Sequence, residues 1–218
     1  MDHFTPVDTF DASTYLHSVV QPNNSFALQW VLPVTGFENN GQPVTPPGFD
    51  KEYGLYLTID ASGILGTNGA PNLYTSVNVT VCADPQNDAG TPSSTVANGA
   101  TFSNGSTNDI VLATGSLVSA SMKFDPTTGT RTATYVETMT PTLDGTLLLG
   151  GSIPPGSHLT EQFTAPADTF QALPQPDGTT VDLVNGGSAQ ITLDSGTVLI
   201  PSNALQLPHG IKFIHYHR

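Results

Sequence analysis

Apolar and polar residues alternate with a period of two along most of the chain, which is the pattern of β-strands buried on one face. The alternation is clearest at residues 53–59, where Leu55, Leu57 and Ile59 share one side, and at residues 73–82. No window of ten or more residues has the 3.6-residue apolar period of an amphipathic helix. The sequence therefore predicts an all-β protein.

Residues 108–139 carry the strongest hairpin signal. The segments 117–124 and 131–139 flank the turn sequence DPTTG, in which proline presets φ and glycine accepts a positive φ. Ala133, Tyr135 and Glu137 fall on one side of the second segment. A short apolar run before Thr114-Gly115 predicts a further strand, and we expect an antiparallel hairpin after it.

Roughly twelve predicted strands, about 8–12 residues apart, are typical of an antiparallel two-sheet sandwich with a jelly-roll-like arrangement. One of these strands covers residues 143–149. We expect a single domain over residues 1–218, because all-β sandwiches reach this length as one domain. Long loops are predicted at residues 36–49 and 84–108, and loops of such length are often functional.

Charge limits the partners of the chain. It has 218 residues, with 5 Lys and Arg, 18 Asp and Glu, and a net charge of −13. Nucleic acids and anionic membranes require cationic patches, so both are excluded as partners. No apolar run reaches the ~20 residues of a membrane span. Cations and neutral polar molecules such as sugars remain as partners.

The single cysteine and the overall composition bear on the cellular location of the protein. Cys82 is the single cysteine, so no disulfide can form within the chain, and its place at the end of an apolar strand predicts a buried thiol. The Thr-, Asn- and Gly-rich composition is that of a mature secreted protein whose leader was replaced by a start methionine. We therefore expect an extracellular location.

Two groups of residues offer metal-ligand chemistry. Asp84, Asn87 and Asp88 present oxygen atoms at a spacing that partly matches a calcium loop, and an Asn- and Asp-rich turn is the alternative. His215 and His217 lie on one side of a terminal strand, as zinc or copper ligands do, and a loose chain end is the alternative. Calcium is the cofactor to which the acidic residues point.

Two further pairs have side chains suited to ligands or catalysis. Tyr56 and Tyr74 fall on the polar faces of successive strands, where an exposed ring stacks on a sugar or a partner chain, and half-buried structural tyrosines are the alternative. Glu137 and Glu161 could face each other across a cleft as glycosidase carboxylates do, and solvated strand residues are the alternative. The sequence has no G-x-S-x-G elbow of a serine hydrolase, and we expect no enzymatic activity.

Three segments carry a resemblance to a known class of proteins. They are GLYLTI at residues 54–59, DIVLATGSL at residues 109–117 and LTEQFT at residues 159–164. With these segments the chain resembles secreted bacterial β-proteins associated with flocculation and the biofilm matrix, over residues 53–200. The resemblance implies a β-rich extracellular matrix protein. Such proteins usually carry a C-terminal sorting tail, and this sequence ends in HYHR instead.

The leading functional hypothesis is a secreted structural or adhesive protein that self-associates into filaments or binds a matrix polysaccharide. A Thr-rich surface with little charge leaves edge strands without the lysines that normally block pairing. The segments 1–24 and 202–218 hold apolar stretches that we expect to be extended or exchanged with a neighbouring molecule. The alternatives are a carbohydrate- or calcium-binding module, a viral capsid or tail protein, and a glycoside-active enzyme.

Overall fold

The computed structural model describes residues 4–66, 72–104, 108–124, 130–149 and 151–201, and within them the chain is nearly all β. The strands are β1 (Phe4–Val7), β2 (Thr9–Val20), β3 (Ser25–Asn39), β4 (Gln42–Val44), β5 (Tyr53–Ile64), β6 (Leu73–Pro85), β7 (Pro92–Thr95), β8 (Gly99–Phe102), β9 (Ile110–Phe124), β10 (Arg131–Pro141), β11 (His158–Ala165), β12 (Phe170–Pro174), β13 (Thr180–Leu193) and β14 (Val198–Pro201). Helix α1 (Leu143–Leu148) and a 3-10 helix (Ala167–Thr169) accompany them. Neither of these described helices is long and apolar enough to cross a membrane.

Eight long strands close into an antiparallel barrel. They pair in the order β2, β3, β5, β6, β9, β10, β11 and β13, and β13 pairs back with β2. Each of these strands neighbours the next long strand along the chain, so the barrel is an up-and-down meander. Short strands are attached to it, with β4 on β3 and β12 on β13.

The predicted two-sheet sandwich is therefore wrong. Alternation identifies the buried face of each strand, and this pattern is the same in a sandwich and in a barrel. The barrel closes because β13 pairs with both β11 and β2, and the second pairing joins Thr192 to Thr9. Pairing between such distant residues leaves no local signature, so periodicity could not choose between the two architectures.

The predicted central hairpin is confirmed, although its first strand is longer than expected. β9 pairs antiparallel with β10, and Ala133, Tyr135 and Glu137 share one face as predicted, which the structure shows to be the buried one. The predicted break at Thr114-Gly115 is wrong, because β9 runs through it. The DPTTG turn lies outside the described residues.

The predicted strand at residues 143–149 is wrong, because most of this segment forms α1. The Oγ1 atom of Thr142 accepts the backbone N–H of Gly145 at 2.9 Å, which is the hydrogen bond of a helix N-cap. Asp144 lies in the first turn, where a negative charge is favourable. A short apolar run fits a strand or a helix equally well, so the cap was the decisive signal.

Buried apolar side chains fill the barrel interior, and the inward positions predicted at residues 53–59 are all buried. Trp30 stacks on Phe163 with ring centroids 4.3 Å apart, and it meets Tyr135 edge-on at 5.2 Å. These three rings are called the aromatic layer below. Where the terminal segments are described, they pair within the same chain, since β1 pairs with β14 and β2 is a barrel strand. Residues 202–218 lie outside the described residues, and exchange of the termini stays a prediction.

Candidate functional site

The described residues between β6 and β9 cover part of the outer barrel wall, and we name these residues, 86–104 and 108–109, the side segment. Its hairpin of β7 and β8 is fastened to two barrel strands. The Ser94 N–H donates to Asn185 Oδ1 at 2.8 Å, and the Asn185 amide donates back to the Ser94 carbonyl at 3.1 Å. The Ser94 hydroxyl donates to the Leu16 carbonyl. These bonds fix the position of the hairpin on the wall.

A cavity of about 360 Å³, the side cavity, lies between this segment and the wall. Small-molecule sites typically have volumes of ~300–1,000 Å³, so the size is sufficient. The lining combines aromatic rings with oxygen and amide groups. The aromatic residues are Tyr15, Phe49, Tyr56 and Phe102, and the polar ones are Ser13, Thr35, Asp50, Asp84 and Asn87. No Lys, Arg or His is among the described residues that line it.

The aromatic rings form a fixed wall with accessible surface. Phe102 meets Tyr56 edge-on with centroids 4.9 Å apart, and Phe49 meets Phe37 at 4.6 Å. Phe49 and Phe102 are half-buried, so part of each ring faces the cavity. The hydroxyl of Tyr56 donates to Asp109, and burial raises the pKa of Tyr56, so this phenol stays protonated at physiological pH.

The rim of the side cavity has an unusual backbone. Asp50, Gln86 and Asn87 have φ values of 61°, 86° and 52°, in the left-handed region that few non-glycine residues adopt. The Asn87 amide donates to the Asp50 carbonyl at 3.0 Å and thereby joins two loops across the rim. A Cβ atom on Gly54 would lie 2.7 Å from Asn87 Oδ1, so glycine permits this close approach. Such conformations concentrate at binding sites.

Asp84 shapes the start of the side segment. It is 2% exposed, and its carboxylate accepts the N–H groups of Ala89 at 2.9 Å and Asp88 at 3.2 Å. Burial raises the pKa of Asp84, while the two N–H groups act in the opposite direction. Both oxygens are thus used to hold the turn that leads into the cavity wall.

The structure brings three of the predicted site residues together, since Tyr56, Asp84 and Asn87 all line the side cavity. Asp88 is exposed beside them. Among the described residues no three His, Cys, Asp or Glu side chains converge as metal ligands, and the calcium site stays a prediction. The predicted ligands His215 and His217 lie outside the described residues.

The remaining predicted residues lie inside the barrel. Tyr74 is 9% exposed, its hydroxyl bonds that of Tyr135, and it lines a smaller cavity of about 90 Å³ at one mouth of the barrel. Glu137 and Glu161 lie on neighbouring strands, as the glycosidase hypothesis required. Both are fully buried, however, so they do not flank an open cleft.

Sequence reasoning missed Phe49, Asp50 and Phe102. A signal for them was present, because they lie in or beside the two long segments at residues 36–49 and 84–108 that were predicted to be functional loops. Comparison of the chain with protein-family models, with curated proteins and with solved structures finds no match.

Proposed function

We propose that this protein binds a neutral sugar unit of a matrix polysaccharide in the side cavity. The observation that carries the proposal is the lining, which sets half-buried aromatic rings beside carboxylate, amide and hydroxyl groups. A sugar has C–H faces that pack on aromatic rings and hydroxyls that bond to such polar groups. An extracellular sugar-binding role also agrees with the secreted location expected from the composition.

The charge of the site favours a neutral ligand over an acidic one. Asp50 and Asp84 belong to the lining, and no cationic side chain does among the described residues. The whole chain has a net charge of −13, which repels an anionic polymer before it reaches the cavity.

The walls are held in place before a ligand arrives. The hairpin is bonded to the barrel through Ser94 and Asn185, and the two rim loops are bonded through Asn87 and Asp50. A preformed cavity spares the ligand the entropic cost of ordering loops, which improves affinity.

Binding of neutral and acidic oligosaccharides to the purified protein, screened on an array and measured by calorimetry, tests the proposal. We expect a neutral sugar to bind and Phe102→Ala to weaken its binding about two- to tenfold, because one aromatic contact contributes ~0.5–1.5 kcal/mol. Phe4→Ala is the matched control, since Phe4 is 37% exposed in β1 and does not line the cavity. Absence of binding to every neutral sugar, or an equal loss in both variants, contradicts the proposal.

Self-association into filaments, the leading hypothesis from the sequence, stays a prediction with weaker support. It relied on unprotected edge strands, and closure of the barrel pairs the eight long strands on both sides. Light scattering in calcium and in chelator tests it. Large oligomers that depend on calcium would restore the hypothesis, and a monomer under both conditions would remove it.

A further inference from the structure

Two acidic side chains, Glu137 and Glu161, lie on neighbouring strands and point into the barrel interior. Glu137 on β10 pairs with Leu159, and Glu161 on β11 pairs with Tyr135, so the two glutamates are diagonal neighbours on one face. Both are 0% exposed. Charged residues are rarely buried this completely unless they are paired.

The barrel wall is shaped to accommodate Glu137. The register of β9 against β10 shifts between Val136 and Glu137, where β9 has one extra residue, and the shift sets Leu117 opposite Glu137. Farther along β9, a Cβ atom on Gly115 would lie 3.3 Å from the Glu137 Cβ and 2.6 Å from the Met139 sulfur. The missing side chain at Gly115 therefore leaves room beside the acid in an otherwise apolar region.

None of the four carboxyl oxygens has a hydrogen-bond partner among the described residues. The neighbouring ionisable groups there are Tyr135 and, through its hydroxyl, Tyr74. The strands packed around the pair contribute residues without charge, namely Gly115 and Leu117 from β9, Leu159 from β11 and Ile191 from β13. Protonation of both carboxyls avoids the large cost of burying two unpaired charges in these apolar surroundings.

We propose that Glu137 and Glu161 are a proton-operated lock: the barrel interior stays tightly closed while both carboxyls are protonated, and it loosens along β10 and β11 when they ionise. Burial raises the pKa of Glu137 to about 8. Burial, and then the neighbouring Glu137, raises the pKa of Glu161 well above its ordinary value. The contribution of this pair to stability is therefore largest in acid and is lost in mild alkali.

Proton linkage determines whether stability rises or falls with pH. The folded chain holds these protons more tightly than the unfolded chain, in which a glutamate has its ordinary pKa of 4.5. The stabilisation is complete below pH 4.5 and is lost as the pH rises through about 8. The aromatic layer beside the pair reports the change, because Trp30 is the single tryptophan of the chain and contacts Tyr135.

Carbon-13 NMR of the glutamate carboxyls tests the lock in the unaltered protein, which has only four glutamates. We expect the carboxyl of Glu137 to titrate near pH 8 and that of Glu161 to titrate well above the ordinary pKa of a glutamate. Titration of both Glu137 and Glu161 in the ordinary range of a glutamate would overturn the proposal.

Denaturant unfolding followed by Trp30 fluorescence between pH 5 and pH 9 tests the consequence. We expect the unfolding constant of the native protein to rise at least about 100-fold over this range, since each unit of pKa shift is a tenfold change. The double variant Glu137→Gln, Glu161→Gln should lose this dependence, and Glu38→Gln, on β3, should retain it. An unchanged pH dependence in the double variant would overturn the lock. So would stabilisation by added Ca²⁺ or Mn²⁺ that the double variant abolishes, because the pair would then hold a cation.

Discussion

Asp84 in the barrel wall and Glu161 in the barrel interior are both buried acids, yet their surroundings differ in kind. Asp84 is 2% exposed and accepts two backbone N–H groups. Glu161 is 0% exposed, and neither of its oxygens has a partner among the described residues. Burial raises the pKa of both carboxyls, but only Asp84 has donors that oppose the shift.

Asp84 stabilises the fold through its hydrogen bonds, whereas the carboxyl of Glu161 makes no described contact that would stabilise the fold. Removing the Asp84 carboxylate leaves two N–H groups without acceptors, one of them on the buried Ala89. Removing the Glu161 carboxyl leaves no described group unsatisfied. The same kind of deletion should therefore have opposite effects on stability in the two regions.

The largest expected effect is that of Asp84→Ala. Two orphaned donors lower the free energy of unfolding by about 3 kcal/mol, and the turn into the side segment loosens. Chemical denaturation measures the first effect. Labelling of Cys82, a buried thiol whose pKa burial raises to about 11, measures the second and should accelerate.

Asp177→Ala is the matched control, because Asp177 makes the same type of bond to the N–H of Thr179 at 3.0 Å but is fully exposed. We expect it to lower stability much less than Asp84→Ala does, because water can replace the lost acceptor. If both variants lost the same amount of free energy of unfolding, burial of the Asp84 hydrogen bonds would not contribute to stability.

Glu161→Met has the next largest effect, with the opposite sign. At pH 8 it should raise the free energy of unfolding by about 2 kcal/mol, since an apolar chain of similar length replaces a buried acid without a partner. At pH 5, where the native carboxyl is already protonated, the gain should nearly vanish. A loss of stability at pH 5 would show that Glu161 has a partner the folded protein needs, and the contrast with Asp84 would disappear.

Some features of the fold could be predicted from the sequence, and others could not. Period-two alternation correctly located the buried face of residues 53–59, and it correctly set Tyr135 and Glu137 on one side of β10. It could not convey closure of the barrel, because the pairing of Thr9 with Thr192 depends on chain geometry rather than on local pattern. The Thr142 cap of α1 was readable in principle, but the apolar residues after it matched a strand equally well.

The site was predictable in part. Tyr56, Asp84 and Asn87 were chosen for their chemistry, and the fold brings them to one cavity. The burial of Asp84 and of the two inward glutamates was not readable, because an acid in an alternating strand normally marks the wet face. Glu137 and Glu161 follow the regular alternation of β10 and β11, and only their acidic character pointed to the wet face.

Tyr135→Phe has a smaller effect, confined to the barrel interior. It removes the hydroxyl that bonds to Tyr74 and should lower the free energy of unfolding by about 1 kcal/mol. Sugar binding and Cys82 labelling should not change, because Tyr135 does not line the side cavity. A parallel loss of sugar affinity would show that the two regions are coupled.

The smallest effect on stability is expected from Asn87→Gly, a change at the rim of the side cavity. Glycine tolerates the φ of 52° at this position, so the free energy of unfolding should fall by only about 0.5 kcal/mol. The amide that joins the rim to Asp50 is lost, and sugar affinity measured by calorimetry should fall severalfold. Asn40→Gly is the matched control, because Asn40 also has a φ of 52° and lies in a turn away from the cavity. If both variants bind sugar like the native protein, the rim amide has no part in recognition, and the aromatic wall must provide it alone.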